Sequence, residues 1–194
     1  MLKNYYERMF NIWLYGTLAS ITVLLFSGIV AWTSSGLHDN FGKLFLEISA
    51  YSLVVAIFLL SVSLLLIGTE IIYRLIVGES LLSLVKSIQQ TIYLRFFLKQ
   101  HDSFEIPVVA NNSKLPSYNP TNKRFNRAVR RCYVNVQKEY ISVTIGIPYS
   151  QQAQQLLKSM ESQIREEVSS YNPDYYFSGG TRRGQQWIFV GNKR

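Results

Sequence analysis

Positive charge gathers at two places in the C-terminal half of this 194-residue chain. Lys123, Arg124, Arg127, Arg130 and Arg131 crowd a short stretch, and Arg182 with Arg183 stand in a turn flanked by Gly179, Gly180 and Gly184. A guanidinium offers a planar fork of donors that matches phosphate oxygens, and glycine lets backbone amides approach an anion closely. Tyr133, Tyr140, Tyr175, Tyr176, Phe177 and Trp187 lie beside these cations, and aromatic rings stack on bases of any identity. The pattern points to a phosphate-rich ligand, a nucleotide or a nucleic acid. Its competitor is a basic juxtamembrane surface held against anionic lipid, and aromatic residues in strands also serve simply as core.

Catalysis is not in the pattern. Acid-base or nucleophilic chemistry needs a placed His, paired carboxylates or an activated Cys, and a phosphate cradle of the nucleotidase kind needs a Gly-rich loop entering a helix. His101, Asp102 and Glu105 are close in sequence, but the C-terminal half has no second His to complete a metal site. Glu161, Glu166 and Glu167 fall near Lys158 and Arg165 on one helical stretch, where solvated pairs are expected. Cys132, the single cysteine, has alternating apolar neighbours and reads as a buried strand residue. It allows no internal disulfide, as suits a reducing cytosol. The expectation is a binding protein with no enzymatic activity, no cofactor and no metal.

The elements that must carry this chemistry begin in a membrane. Phe10 to Trp32 and Ile48 to Thr69 are uninterrupted apolar runs without a charged side chain, and roughly 20 helical residues cross a hydrocarbon core of about 30 Å. A cleaved signal peptide is a poorer reading of the first run, since its apolar core is too long. Lys3 and Arg8 precede the first run, while Arg74, Lys86, Arg95 and Lys99 follow the second. The positive-inside rule therefore places both chain ends in the cytoplasm, with Thr33 to Lys43 as the outer turn. Residues 1–100 hold seven Lys or Arg against five acids, and residues 101–194 hold 13 against seven, so most of the net charge of +8 belongs to the second half.

Glu79 to Gln100 repeats apolar residues at Leu81, Leu84, Val85, Ile88, Ile92 and Phe96, the spacing of one helical face. It reads as an amphipathic stalk whose apolar face packs on a neighbouring subunit or lies in lipid headgroups with Arg95 and Lys99 toward phosphates. Residues 101–126, rich in Pro, Asn and Ser, read as a linker. Residues 127–194 then read as strand, strand, helix, strand, strand. Cys132, Val134 and Val136 alternate on the first strand and Ile141, Val143, Ile145 and Ile147 on the second, with Lys138 and Glu139 as their turn. Ser150 is an N-cap, Ala153, Leu156, Leu157, Met160, Ile164 and Val168 mark the apolar helix face, and Pro173 follows its end. Asp174 to Phe177 and Gln186 to Gly191 are the last two strands, around the turn SGGTRRGQ. The fold class expected is α+β: a two-helix transmembrane hairpin (residues 1–78) followed, beyond the stalk, by a small ββαββ antiparallel-sheet domain in the cytosol.

Two spans joined to a basic cytosolic domain, with the segments KRFNRAVRRCYVNV and YYFSGGTRRGQQWIFVGNKR, resemble the small two-helix membrane effectors that accompany type III CRISPR systems. That resemblance implies an antiviral role, a C-terminal sensor for cyclic tetra-adenylate, assembly as a tetramer and a place in the cell inner membrane. It makes Lys123, Arg124, Arg127, Arg130, Arg131, Tyr133, Arg182, Arg183 and Trp187 the candidate ligand-binding residues. A ring of four subunits each supplying arginines would match a ligand of four phosphates and four bases. The alternative is a structural subunit of a secretion or conjugation assembly, whose basic domain docks on a partner or on DNA.

Overall fold

A computed structural model describes residues 5–36, 40–100 and 120–194. The chain forms two units that divide between Gly78 and Glu79. The first is an antiparallel pair of helices, α1 (Tyr5–Ser34) and α2 (Asn40–Val77). Both are long and apolar enough to cross a bilayer, and most of their large apolar side chains, Leu25 and Leu65 among them, are exposed. Along the middle of the pair the buried positions are mostly small residues, with Tyr6, Phe10, Glu70 and Arg74 buried nearer one end. Buried positions of α2 recur every seven residues, at Gly42, Ser49, Ala56, Ser63 and Glu70, a period that holds one seam against a partner helix as both supercoil to the left. Helices in lipid associate by close packing and hydrogen bonds, because burying apolar area from lipid drives little. Here Ser27 Oγ donates to the Ser49 carbonyl at 2.9 Å and Ser49 Oγ returns a bond to the Ser27 carbonyl at 3.1 Å.

Space along the seam is tight only where the helices touch. A Cβ on Gly16 would stand 2.7 Å from Ser63 Oγ, whereas nothing lies within 4 Å of one on Gly28. Gly16→Val is expected to cost about 1–3 kcal/mol through overpacking and to lower the unfolding midpoint in detergent, while Gly28→Val leaves it unchanged. Equal midpoints for the two variants would mean that the seam is not the packing surface. Where the hairpin approaches the second unit in sequence, Glu70 and Arg74 form a buried pair at 2.8 Å, and the Arg74 guanidinium lies 5.7 Å from the centre of the Tyr6 ring.

The second unit begins with α3 (Leu81–Leu98), capped by Ser80, and continues with α4 (Pro120–Val129), β1 (Tyr133–Val136), β2 (Tyr140–Gly146), α5 (Gln151–Ser159), α6 (Glu161–Tyr171), β3 (Tyr175–Phe177), β4 (Thr181–Arg183) and β5 (Gln186–Lys193). All strand pairs are antiparallel, in the order β1-β2-β5-β3, with β4 also on β5. The α+β class holds, but the order after the linker is ββααβββ rather than ββαββ. Two differences account for this. Met160, at φ −87° and ψ 0°, parts α5 from α6 where no Gly or Pro signals a break. The glycine-flanked turn also folds back on β5 as the short strand β4, turning at Gly184, whose φ of +56° favours a residue without a Cβ.

The alternation of the first hairpin is realised. Cys132, Val134, Val136, Ile141, Val143 and Ile145 enter one core with Ala153, Leu157, Ile164 and Val168, and the Gln137 amide donates to the Tyr140 carbonyl across the Lys138–Glu139 turn. Of the stretch read as linker, residues 101–119 lie outside the description, and with them His101, Asp102 and Glu105. Its end is α4, where Pro120 occupies the first helical position, a place that needs no amide hydrogen, and Phe125, Ala128 and Val129 turn inward.

The segment expected to stand apart as a stalk is part of the sheet domain. Its buried face is Ser83, Leu84, Ser87, Thr91, Leu94 and Leu98; of the expected stripe of Leu81, Leu84, Val85, Ile88, Ile92 and Phe96, Leu84 turns inward, whereas Leu81, Val85 and Phe96 are exposed. Ser87, Thr91 and Arg95 run along the free edge of β1. Ser87 Oγ accepts from the Val136 amide at 2.9 Å, Thr91 Oγ1 accepts from the Val134 amide at 2.9 Å while its own proton goes to the Ser87 carbonyl at 2.6 Å, and Arg95 Nε donates to the Cys132 carbonyl at 2.9 Å. Four residues of helix rise about 6 Å and two residues of strand about 6.6 Å, so the two ladders stay in step. Reciprocal amide pairs fix α3 further, Gln90 with Asn172 and the Gln100 backbone with Asn126. Glu79 accepts the Lys138 amide at the hairpin turn.

Candidate ligand groove and basic surfaces

The nine candidate binding residues fall in three places. Lys123, Arg124 and Arg127 share the exposed side of α4, opposite Phe125 and Val129. Arg130 is exposed in the turn into β1, and Arg131 is half-buried there. Arg131 passes beside Gly146, where an added Cβ would meet it at 3.2 Å, and its guanidinium lies 5.9 Å from the centre of the exposed Tyr149 ring. Gly146 pairs with Gln186, which pairs with Arg183, so Arg131 and Arg183 stand at the same end of the sheet. Tyr133 is 8% exposed, with the Arg95 guanidinium 5.2 Å from its ring centre; this ring is already covered.

Arg182 and Trp187 form the third group, and they do share a concavity. Neighbouring strand residues point to opposite faces, so Arg182, paired with Trp187, lies on the helix side of the sheet while Arg183 lies on the other. A groove of about 380 Å³ runs between β4–β5 and α5, lined by Gln151, Gln154, Gln155, Lys158, Arg182 and Trp187, within the size range of small-ligand sites. Its walls are held from outside. Glu161, at the start of α6, accepts the Gly180 amide at 3.0 Å, and a Cβ at Gly180 would overlap the Trp187 indole, so the chain passes over that ring only as glycine. Gln154 Nε2 donates to the Pro148 carbonyl at 2.8 Å, which turns its carbonyl oxygen free as an acceptor. Trp187 Nε1 is buried and has no acceptor. Neither Arg182 nor Lys158 makes an ion pair among the described residues.

Comparisons with family models, curated proteins and solved structures match nothing, so the reading of the groove rests on its own chemistry. Two cations, three primary amides and an indole can hold phosphate, read hydrogen-bond edges and stack on a base. The glutamines were missed in the sequence because neutral amides on a helix surface form no motif. The signal was there, since Gln151, Gln154 and Gln155 fall on one side of the helix away from Ala153 and Leu157. A second concavity lies between α6 and β3, lined by Arg165, Tyr175, Tyr176 and Arg194 among others, and contains none of the nine candidates.

Cys132 is fully buried, and burial pushes its thiol up from 9.0 to about 12, against a smaller opposing pull from Arg95. The thiolate is the nucleophile, so alkylating reagents at neutral pH are expected to leave Cys132 unmodified until the domain unfolds. Below pH 9 both states keep the proton. Between about pH 9 and 12 the unfolded chain ionises while the folded one does not, so stability falls as pH rises through that window. Rapid labelling of the native protein at pH 7 would contradict the burial.

Proposed function

We propose that this chain is a membrane-anchored effector whose soluble unit faces the cytoplasm, binds a cyclic oligoadenylate, and acts on the bilayer or its potential through the two apolar helices. The observation that carries the reading is the groove, where Arg182 and Lys158 suit phosphate, Gln151, Gln154 and Gln155 suit the donor and acceptor edge of adenine, and Trp187 suits a stacked base. A cyclic ligand with repeated phosphate and base units would recruit several copies of the groove and favour a closed homo-oligomer, a tetramer for a four-fold ligand. Since α3 is bonded along β1 and only three residues separate it from α2 in the chain, displacement of the sheet would reach the membrane helix without a separate stalk. The ligand drives that change only by its unequal affinity for the two states.

The test is titration of the full chain in lipid nanodiscs with cyclic tetra-adenylate and with linear oligoadenylate of equal length. Cyclic ligand is expected to bind much more tightly. Arg182→Ala should weaken it roughly ten- to a hundredfold, as loss of a charge-assisted bond worth about 1.5–3 kcal/mol implies, whereas Arg183→Ala, on the opposite face, should change little. Equal loss in both variants would remove the groove from the site. The exposed cations Arg124 and Arg127 on α4 lie apart from the groove lining and support the second reading, a secretion or conjugation subunit docking on an acidic surface or on DNA. Equal binding of linear and cyclic RNA, lost on Arg124→Ala with Arg127→Ala, would favour it.

A further inference from the structure

A groove of about 840 Å³ lies between α6 and the outer edge of β3, lined by Arg165, Glu166, Ser169, Tyr176, Phe177 and Arg194 among others. It shares no residue with the groove beside Trp187. We propose that it receives an extended acidic peptide of another protein, which adds as a short strand to β3 with its carboxylates on Arg165 and Arg194. Two features select such a peptide as the occupant.

The first is the backbone. β3 is the last strand in its order, and along a strand the residues whose backbone groups bond one neighbour alternate with those whose groups face the other side. The Arg194 amide donates to the Asp174 carbonyl at 2.9 Å and the Ser178 amide to the Val190 carbonyl at 3.0 Å, with Tyr176 paired to Asn192 between them. Asp174, Tyr176 and Ser178 therefore bond toward β5, while Tyr175 and Phe177 direct their backbone groups outward. The Tyr175 amide returns to the Asn172 carbonyl at 3.1 Å. That leaves the Tyr175 carbonyl and then the amide and carbonyl of Phe177 along the groove, an acceptor, a donor and an acceptor that the backbone of an extended chain complements. The three residues of β3 span about 10 Å, enough for a peptide but too little to join two sheets.

The second is charge. Arg165 is exposed on α6 and Arg194 is exposed just past β5, and neither enters an ion pair among the described residues. Glu166 is the single carboxylate among the lining side chains, so two guanidiniums face one negative charge. A guanidinium holds a carboxylate by two parallel bonds, and strand residues two apart point to the same side, so a peptide with carboxylates two positions apart presents both to this wall. Farther along the same edge a backbone donor already takes a carboxylate, since the Gly180 amide bonds Glu161 at 3.0 Å. A second copy of β3 is a poorer occupant, because two such edges set together would bring four guanidiniums against two carboxylates.

The test pans phage-displayed random heptapeptides on the full chain in phosphatidylcholine nanodiscs, subtracts those that empty nanodiscs retain, and titrates the recovered sequences as labelled synthetic peptides. Sequences with carboxylates two positions apart are expected to predominate. Arg165→Glu with Arg194→Glu should weaken their binding roughly tenfold or more, as loss of charge-assisted bonds implies. Ser169→Trp, which fills the groove without altering its charge, should do the same, and both variants should keep the thermal midpoint of the wild type. Methylating the peptide amide nitrogens one at a time should abolish binding at alternate positions only, the signature of an added strand. Lys86→Glu with Lys99→Glu, two exposed cations on and just after α3, should change little. Recovery of no acidic sequence overturns the inference. So does equal loss in the lysine variant, which would mean attraction to overall charge, or indifference to methylation, which would mean that the ligand is not a strand. Self-association of the wild type that is lost on Arg165→Glu with Arg194→Glu, without peptide binding, assigns the groove to a second copy and overturns it as well.

Discussion

Replacing Ser87 by Ala and Thr91 by Val together should cost the second unit about 2–6 kcal/mol and lower its thermal midpoint by ten degrees or more, roughly. Each hydroxyl accepts an amide hydrogen from the edge of β1, Val136 for Ser87 and Val134 for Thr91. Both hydroxyl-bearing residues are fully buried, so water does not replace them, and an orphaned buried N–H costs about 1–3 kcal/mol. Ser159→Ala is the control, since its hydroxyl is exposed and bonds only its own helix. Amide hydrogen exchange of the full chain in detergent reports the effect locally. Slow exchange at Val134 and Val136 in the double variant, with an unchanged midpoint, would show that α3 does not hold the edge.

Phe125→Ala is expected to be comparably severe, about 3–5 kcal/mol, the usual loss for a large aromatic side chain truncated in a core that cannot collapse around it. Phe125 is fully buried and joins Leu98 and Val129 in the common core. Chemical denaturation of the full chain should show a lower midpoint with the same slope, since the surface exposed on unfolding hardly changes. A loss below about 1 kcal/mol would mean that α4 is an appendage rather than part of the core.

These two sites mark where the sequence was and was not legible. The β1–β2 hairpin and the apolar side of α5 and α6 could be read because each presents one apolar face at a single clean period, with Val134, Ile141, Leu157 and Ile164 all inward. Around α3 the same method selected the wrong side. Periodicity ranks apolar residues and so favoured Leu81, Leu84, Val85, Ile88, Ile92 and Phe96, of which only Leu84 is buried, while the side that docks is chosen by hydroxyls matched to a strand edge, a pairing no local pattern reveals. The helix α4 was hidden by its position after a Pro- and Asn-rich stretch, although Phe125, Ala128 and Val129 have helical spacing. Of the candidate site, Arg182 and Trp187 were identifiable as a cation and a ring near glycine. That they share a face while Arg183 does not depends on β4 being a strand, and TRR has little in its composition to announce one.

The way α3 lies along β1 also constrains how copies of this protein can meet. An unpaired strand edge invites another chain to extend the sheet. Here one edge is occupied by side chains from α3. The opposite edge of β5 is divided between β3 and β4, three residues each, interrupted at residues 178–180 and bearing Arg182 and Arg183. Among the described residues neither edge offers a continuous run of backbone to a neighbour, so the sheet is a poor template for edge-to-edge pairing between copies. The same blunting keeps copies held at high local density from associating strand to strand.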